Sequence, residues 1–239
     1  MHTLATTSLL LAAATALAGC PTHVLSPPSQ FLPLESPAPL AAGETWLGAE
    51  GGVGGAVFGP DVATGAVVAR RGLTDTLELR ADATLASILA NGRADTSPWI
   101  GSGRVGVKAL FAPSFPHLAW TAGLGGGTSA GGAFATADLG VIVGYENPII
   151  VPFLSVAGLV SVPLTRHEVD ITRADAEPGD PAVLDTPNTT LGARVGFGVR
   201  VPVEGADLSV GAAFLFLADA TRDEDLGFTG ASASLGARF

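Results

Sequence analysis

The chain has 239 residues, 47% of them apolar and only 14% charged, with a formal net charge of −10. The length fits one domain with appendages, and the acidic balance excludes a nucleic-acid partner, because phosphate binding rests on Lys and Arg clusters that are missing here. With 32 Gly, 17 Pro and no long apolar run past the N-terminus, a helical membrane protein is excluded as well, and one Cys with four scattered His (His2, His23, His117, His167) leaves neither an internal disulfide nor a zinc site.

Residues 9–18 form an apolar, small-residue core of the length of a signal h-region, too short to span a membrane in the mature protein. Residues 1–19 are therefore expected to be a signal peptide for export. The segment ends in Leu17-Ala18-Gly19-Cys20, which resembles the lipobox of bacterial lipoprotein signals. That resemblance implies a lipidated Cys20 as the new N-terminus. An ordinary signal peptide with a chance Cys is the alternative, and the n-region offers only His2 where Lys or Arg is usual. Residues 20–43 carry Pro27, Pro28, Pro33, Pro37 and Pro39, a composition that favours extended, semi-rigid chain. The expectation is a periplasmic linker, with a Pro-rich ligand for a partner domain as the alternative.

From residue 44 to residue 239 the dominant signal is period two, the spacing that sends successive side chains to opposite faces of a strand. Thr76 to Leu85 is the clearest case, with polar residues at even positions and apolar ones at odd positions. The same split recurs around Arg104, Asp138, Arg194 and Ser234. Turn signals divide the stretch into ten candidate strands near 44–58, 62–72, 75–88, 99–112, 117–128, 132–146, 149–162, 188–202, 206–219 and 226–239. Ten is even, as single-chain outer-membrane barrels require, and most segments exceed the 9 to 11 residues needed to cross a bilayer at a tilt. The expected fold class is all-β: an antiparallel up-and-down transmembrane β-barrel of about ten strands.

The connections alternate in length. Residues 73–75, 113–116, 146–148 and 204–205 make short turns, whereas 91–98, 163–187 and 219–225 make long ones. Outer-membrane barrels have short periplasmic turns and longer extracellular loops, so the first strand rises from the periplasm and both termini are expected there.

The stretch 44–239 resembles small bacterial outer-membrane β-barrel proteins. Its most family-like pieces are the Gly72-Leu73-Thr74-Asp75-Thr76-Leu77-Glu78-Leu79 hairpin and the terminal Ala233-Ser234-Leu235-Gly236-Ala237-Arg238-Phe239. The resemblance implies outer-membrane localisation, outer-membrane lipid as solvent, and recognition of Phe239 by the barrel-assembly machinery. Interfacial aromatic girdles would come from Trp46, Trp99, Trp120, Phe111, Tyr145 and Phe239. A soluble sandwich or ligand-carrying barrel also alternates, with the apolar face inward. A polar face rich in Gly, Ser and Thr suits a narrow interior better than a solvated exterior.

On the membrane reading the lumen holds Glu50, Glu78, Arg80, Asp82, Arg104, Lys108, Asp138, Arg194, Arg200, Asp207 and Arg238. Unpaired buried charge is costly, so these groups are expected to pair as a network and obstruct the lumen. Ten strands enclose far less space than the 16 to 18 of porins. A structural or surface-binding barrel is expected, with a restricted channel or transporter as the alternative. The loops are acidic, with Glu168, Asp170, Asp175, Glu177, Asp180 and Asp185 in the longest and Asp219, Asp223, Glu224 and Asp225 in the last. Such carboxylates offer oxygen ligands to Ca²⁺ or Mg²⁺, although no EF-hand spacing is present and solvated charge on an exposed loop is the simpler reading.

No enzyme is expected, and no cofactor. Gly127-Thr128-Ser129-Ala130-Gly131 matches G-x-S-x-G, but that chemistry needs a strand-to-helix elbow, and no helix is expected after it. A rim hydrolase could begin only at His167 with Glu168 or Asp170, and nearby charge is not a positioned base.

Overall fold

The structure, a computed structural model, describes residues 24–56, 61–89, 99–170, 183–222 and 225–239. Ten strands close into a barrel: β1 (Thr45–Ala56), β2 (Asp61–Thr74), β3 (Leu77–Leu89), β4 (Trp99–Leu110), β5 (Leu118–Ser129), β6 (Gly132–Gly144), β7 (Val151–Pro163), β10 (Thr190–Val203), β11 (Ala206–Asp219) and β12 (Asp225–Arg238). The two remaining strands, β8 (Val169–Asp170) and β9 (Leu184–Asp185), form a small ladder within the connection from β7 to β10. Every neighbouring pair in the barrel is antiparallel, and β1 closes onto β12 with Trp46 opposite Arg238 and Gly54 opposite Gly230. Among the described residues there is no helix. The fold class expected from period two is the one observed, and no strand boundary departs from its expected position by more than two residues.

Alternation along each strand sorts side chains by face. On β3, Glu78, Arg80, Asp82 and Thr84 are buried while Leu79 and Leu85 are exposed. On β12, Ser232 and Ser234 are buried and Leu235 is exposed. This polarity is the reverse of a soluble barrel, whose apolar face points inward. The seam is completed at the chain end, where Thr45 and Phe239 exchange backbone hydrogen bonds of 3.0 and 2.9 Å. The β10–β11 hairpin turns at Glu204-Gly205, with Gly205 at φ +71°, a conformation that glycine adopts without steric cost.

One expectation is overturned. Residues 24–42 are not a periplasmic tether; they run as irregular, extended chain through the inside of the barrel. Their contacts reach opposite walls, which only an interior path allows. Ser29 Oγ accepts from Thr136 Oγ1 on β6 at 2.9 Å, and its carbonyl accepts from Ser102 Oγ on β4 at 2.8 Å. Gln30 bonds to β3, and its carbonyl accepts from Arg194 on β10. The reason is the composition of the wall. Its inward face carries glycines where the segment passes, so that a methyl at Gly230 would fall 2.6 Å from Leu32 Cδ1 and one at Gly211 2.7 Å from Leu34 Cδ2. The Ser and Thr residues between them supply partners to a segment that makes no ladder of its own, as buried backbone requires.

The path also separates the two described ends. Residues 41–43 lie at the short-turn end, where Gly43 N donates to Gly72 O and Ala42 N to Asp75 Oδ1. Val24 lies at the long-connection end, donating from its backbone N to Asp185 Oδ2 at 3.0 Å, beside the Leu25–Asn188 bridge. Val24 and Phe239 therefore sit at opposite ends of the barrel. The signal segment 1–19 and Cys20 lie outside the described residues.

Candidate functional site

Among the described residues the lumen is where the chain gathers its buried charge, and it is built in layers along its axis. At the long-connection end is an apolar collar. Val62, Ala86, Ile100, Phe134, Ala213, Leu215, Leu217, Leu226 and Phe228 point inward from the wall and pack around Phe31 and Leu32 of the internal segment. The β11 stretch Ala212-Ala213-Phe214-Leu215-Phe216-Leu217 is apolar on both faces, so no alternation marked its inner residues as lumenal. A space of about 10 Å³ remains beside Phe31, Leu32, Leu215 and Phe228. This is about the room for one water.

Below the collar lies a belt of ions. Arg70 on β2 makes a two-pronged contact with Glu78 on β3, Nε to Oε1 at 2.7 Å and Nη2 to Oε2 at 2.9 Å. Lys108 on β4 reaches Glu78 at 3.4 Å and Glu35 of the internal segment at 3.6 Å. Arg80 binds Glu50 through Nη2 at 3.1 Å and Asp82 through Nε at 3.3 Å, with Glu35 at 3.9 Å. Arg104 forms a second two-pronged pair with Asp138, both bonds at 2.7 Å. Such paired, hydrogen-bonded geometry is what buried charge needs to offset lost hydration. Two further spaces between segment and wall are small, about 20 Å³ around Gln30, Leu32, Glu50 and Thr64 and about 10 Å³ beside Pro28, Asp138 and Arg194.

At the short-turn end Trp46 turns into the lumen with Leu40 and Val68, and Arg70 Cζ lies 5.4 Å from its ring centroid. Trp46 is thus not part of an outer aromatic girdle. Its ring fills the room left by Gly48 and Gly236. Outward at this end are Phe111, Phe115, Tyr145 and Phe239, and Trp99 is exposed at the other. Arg200 pairs with Glu146 at 2.8 Å, and Arg238 with Asp207 at 2.6 Å and Glu44 at 3.6 Å.

Each of the eleven charged residues expected in the lumen points inward. Ten of them are tied into ion pairs, and Arg194 contacts the carbonyl of Gln30 at 3.4 Å. Sequence reasoning missed Arg70, because the run Ala69-Arg70-Arg71 places charge on both faces. It missed Glu35 and Gln30 because the internal segment was read as solvated. Lys108 also donates to the carbonyl of Ser36 at 3.1 Å, and Leu40 N donates to Glu78 Oε2 at 2.8 Å, so wall and segment share one network.

The acidic connections are partly described. Asp219 accepts from Thr221 and Arg222 backbone N–H groups and from Asn188 Nδ2, and Asp185 pairs with Arg222 at 3.1 Å. Asp175, Glu177, Asp180, Asp223 and Glu224 lie outside the described residues. Among the described residues no group of three or more His, Cys, Asp or Glu side chains could hold a metal ion. Ser129 donates to the carbonyl of Gly132 at 3.3 Å, on a tight β5–β6 turn with no helix after it. His167 meets this turn through its backbone N, which donates to Gly131 O at 2.9 Å.

No protein-family model matches the chain, and no curated protein matches it. Among solved structures it is similar to the N-terminal β-barrel domain of Pseudomonas aeruginosa OprF, at 12% identity and a TM-score of 0.37, over 84% of this chain and all of that one. It is similar also to the β domain of the Bordetella autotransporter BrkA, at 13% identity and a TM-score of 0.49, over 83% of this chain and all of that one. At these scores such a likeness says nothing of activity.

Proposed function

We propose that this chain is a bacterial outer-membrane β-barrel protein that is closed at rest, with its own N-terminal segment filling the lumen and its acidic connections displayed outside the cell. The observation that carries this reading is the inverted polarity of the barrel. Leu124 is 70% exposed, Val67 68% and Leu139 65%, whereas Lys108 and Glu78 are 1% and 0% exposed. A continuous apolar outer surface of this kind far exceeds what a soluble monomer presents to water, and a bilayer removes the cost. The filled lumen favours a structural or surface-binding role over the restricted channel.

Export by the signal segment, acylation of Cys20, assembly through Phe239 and divalent cations at the acidic connections belong to the same reading. They rest on sequence pattern and resemblance. Refolding of the mature chain decides the central claim. The expected outcome is a heat-modifiable barrel in lipid vesicles or detergent and aggregation without them; a folded, soluble monomer in detergent-free buffer overturns the outer-membrane reading.

A further inference from the structure

We infer that the chain threads residues 24–42 through its barrel in the outward direction, so that Val24 stands at the cell exterior while Phe239 stays in the periplasm. The inference rests on the outer-membrane reading above for which side is outside. Its structural part is independent of that reading.

Three observations carry it. The first is continuity: the segment is held at successive levels from one mouth to the other. Gly43 and Ala42 bond to the β2–β3 end; Leu40 N meets Glu78; Glu35 lies against Lys108 and Arg80; Gln30 meets Asp82; Ser26 meets Ser161; and Val24 meets Asp185. The second is direction. β1 begins at Thr45 beside Phe239, at the mouth bearing the Asp75-Thr76 and Glu204-Gly205 turns, so chain preceding β1 enters there and reaches the other mouth, where Asp185 and Asn188 stand. In barrels of this class long connections face outward. The third is complementarity specific to the segment. Leu32 and Leu34 lie against Gly230 and Gly211, while Glu35 brings a carboxylate between Lys108 and Arg80. A chance collapse of a tether into the lumen would not place its one carboxylate between two wall cations and Phe31 and Leu32 inside the apolar collar.

The consequence is a display function. Val24, held against Asp185, joins the acidic connections as part of the outer surface.

The test has two arms, both on the full chain expressed in a Gram-negative host. In the first, Val24→Cys, Val183→Cys and Ala42→Cys are each treated on intact cells with a membrane-impermeant maleimide, with the unsubstituted chain reporting any signal from Cys20. The expected result is labelling of Val24→Cys and Val183→Cys on intact cells, with Ala42→Cys labelled only after permeabilisation. Labelling of Val183→Cys alone on intact cells overturns the threading. A silent Val183→Cys means that the long connections do not face outside, which overturns the outward emergence through failure of the orientation and not of the path. The second arm covers the path itself and any Val24 variant that fails to assemble. Ser26 and Ser161 stand Oγ to Oγ at 2.8 Å inside the barrel, a separation compatible with a disulfide, so the Ser26→Cys, Ser161→Cys chain should yield a cross-linked peptide pair under oxidation. Absence of that cross-link in an assembled barrel overturns the threading.

Discussion

Gln30 donates from Nε2 to Asp82 Oδ2 at 2.7 Å, and the same carboxylate oxygen accepts from Arg80 Nε at 3.3 Å. A residue of the internal segment is therefore a working member of the wall's ion network, and the segment contributes to the stability of the barrel. Gln30→Ala should lower stability by about 1.5–3 kcal/mol, the range for a hydrogen bond to a charged group. Thermal unfolding in detergent measures it, and an unchanged midpoint would mean that the segment is not seated against β3.

The ion pairs also say which double substitutions should interact. Arg104 and Asp138 touch through two hydrogen bonds, so Arg104→Ala and Asp138→Ala should be non-additive by about 0.5–3 kcal/mol. Arg80 pairs with Glu50 and Asp82 rather than with Asp138, and it should show its coupling with Glu50→Ala. A double-mutant cycle on each pair checks the assignment.

Glu78 is the hub of the belt, accepting from Arg70 and Leu40 and lying beside Lys108. Glu78→Gln leaves two buried cations short of their counter-charge and should cost about 3–5 kcal/mol. Urea unfolding from vesicles reports it; a loss below 1 kcal/mol would indicate water in place of a paired network.

The collar predicts electrical silence. In planar bilayers the full chain should give no discrete conductance steps. Leu32→Asp, which puts a charge among Leu215, Phe228 and their neighbours, should destabilise the seated segment and produce steps. Steady conductance of the unsubstituted chain would count against a closed lumen.

On β10, neighbouring residues meet opposite surroundings: Val195 is exposed on the outer face and Arg194 points into the lumen beside Gln30. Val195→Arg should cost about 2–4 kcal/mol if it lies at the bilayer midplane, read as lost folding into vesicles. Arg194→Lys, which keeps the charge, should be nearly neutral.

Much of this was legible in the sequence. Period two from Thr76 to Leu85, repeated around Arg104, Asp138 and Ser234, placed ten strands and assigned the inward charges, because alternation in a strand is a local property and each residue's face follows from its neighbour's. Closure of β1 onto β12 was expected from the resemblance to outer-membrane barrels, with which the even count agrees. Local pattern ran out in three places. Trp46 reads as interfacial, yet the room left by Gly48 and Gly236 lies inside. Leu215 and Leu217 belong to a stretch apolar on both faces, where alternation carries no information. Residues 24–42 have the composition of a solvated spacer, and nothing in their own sequence distinguishes a tether in water from one seated in a lumen. That choice depends on what surrounds them: glycines on several strands that open a channel one chain wide, and Lys108 and Arg80 set where Glu35 arrives. These groups are far apart in sequence and meet only when the barrel closes. Composition and periodicity therefore determined the wall, and only the tertiary structure decided what fills it.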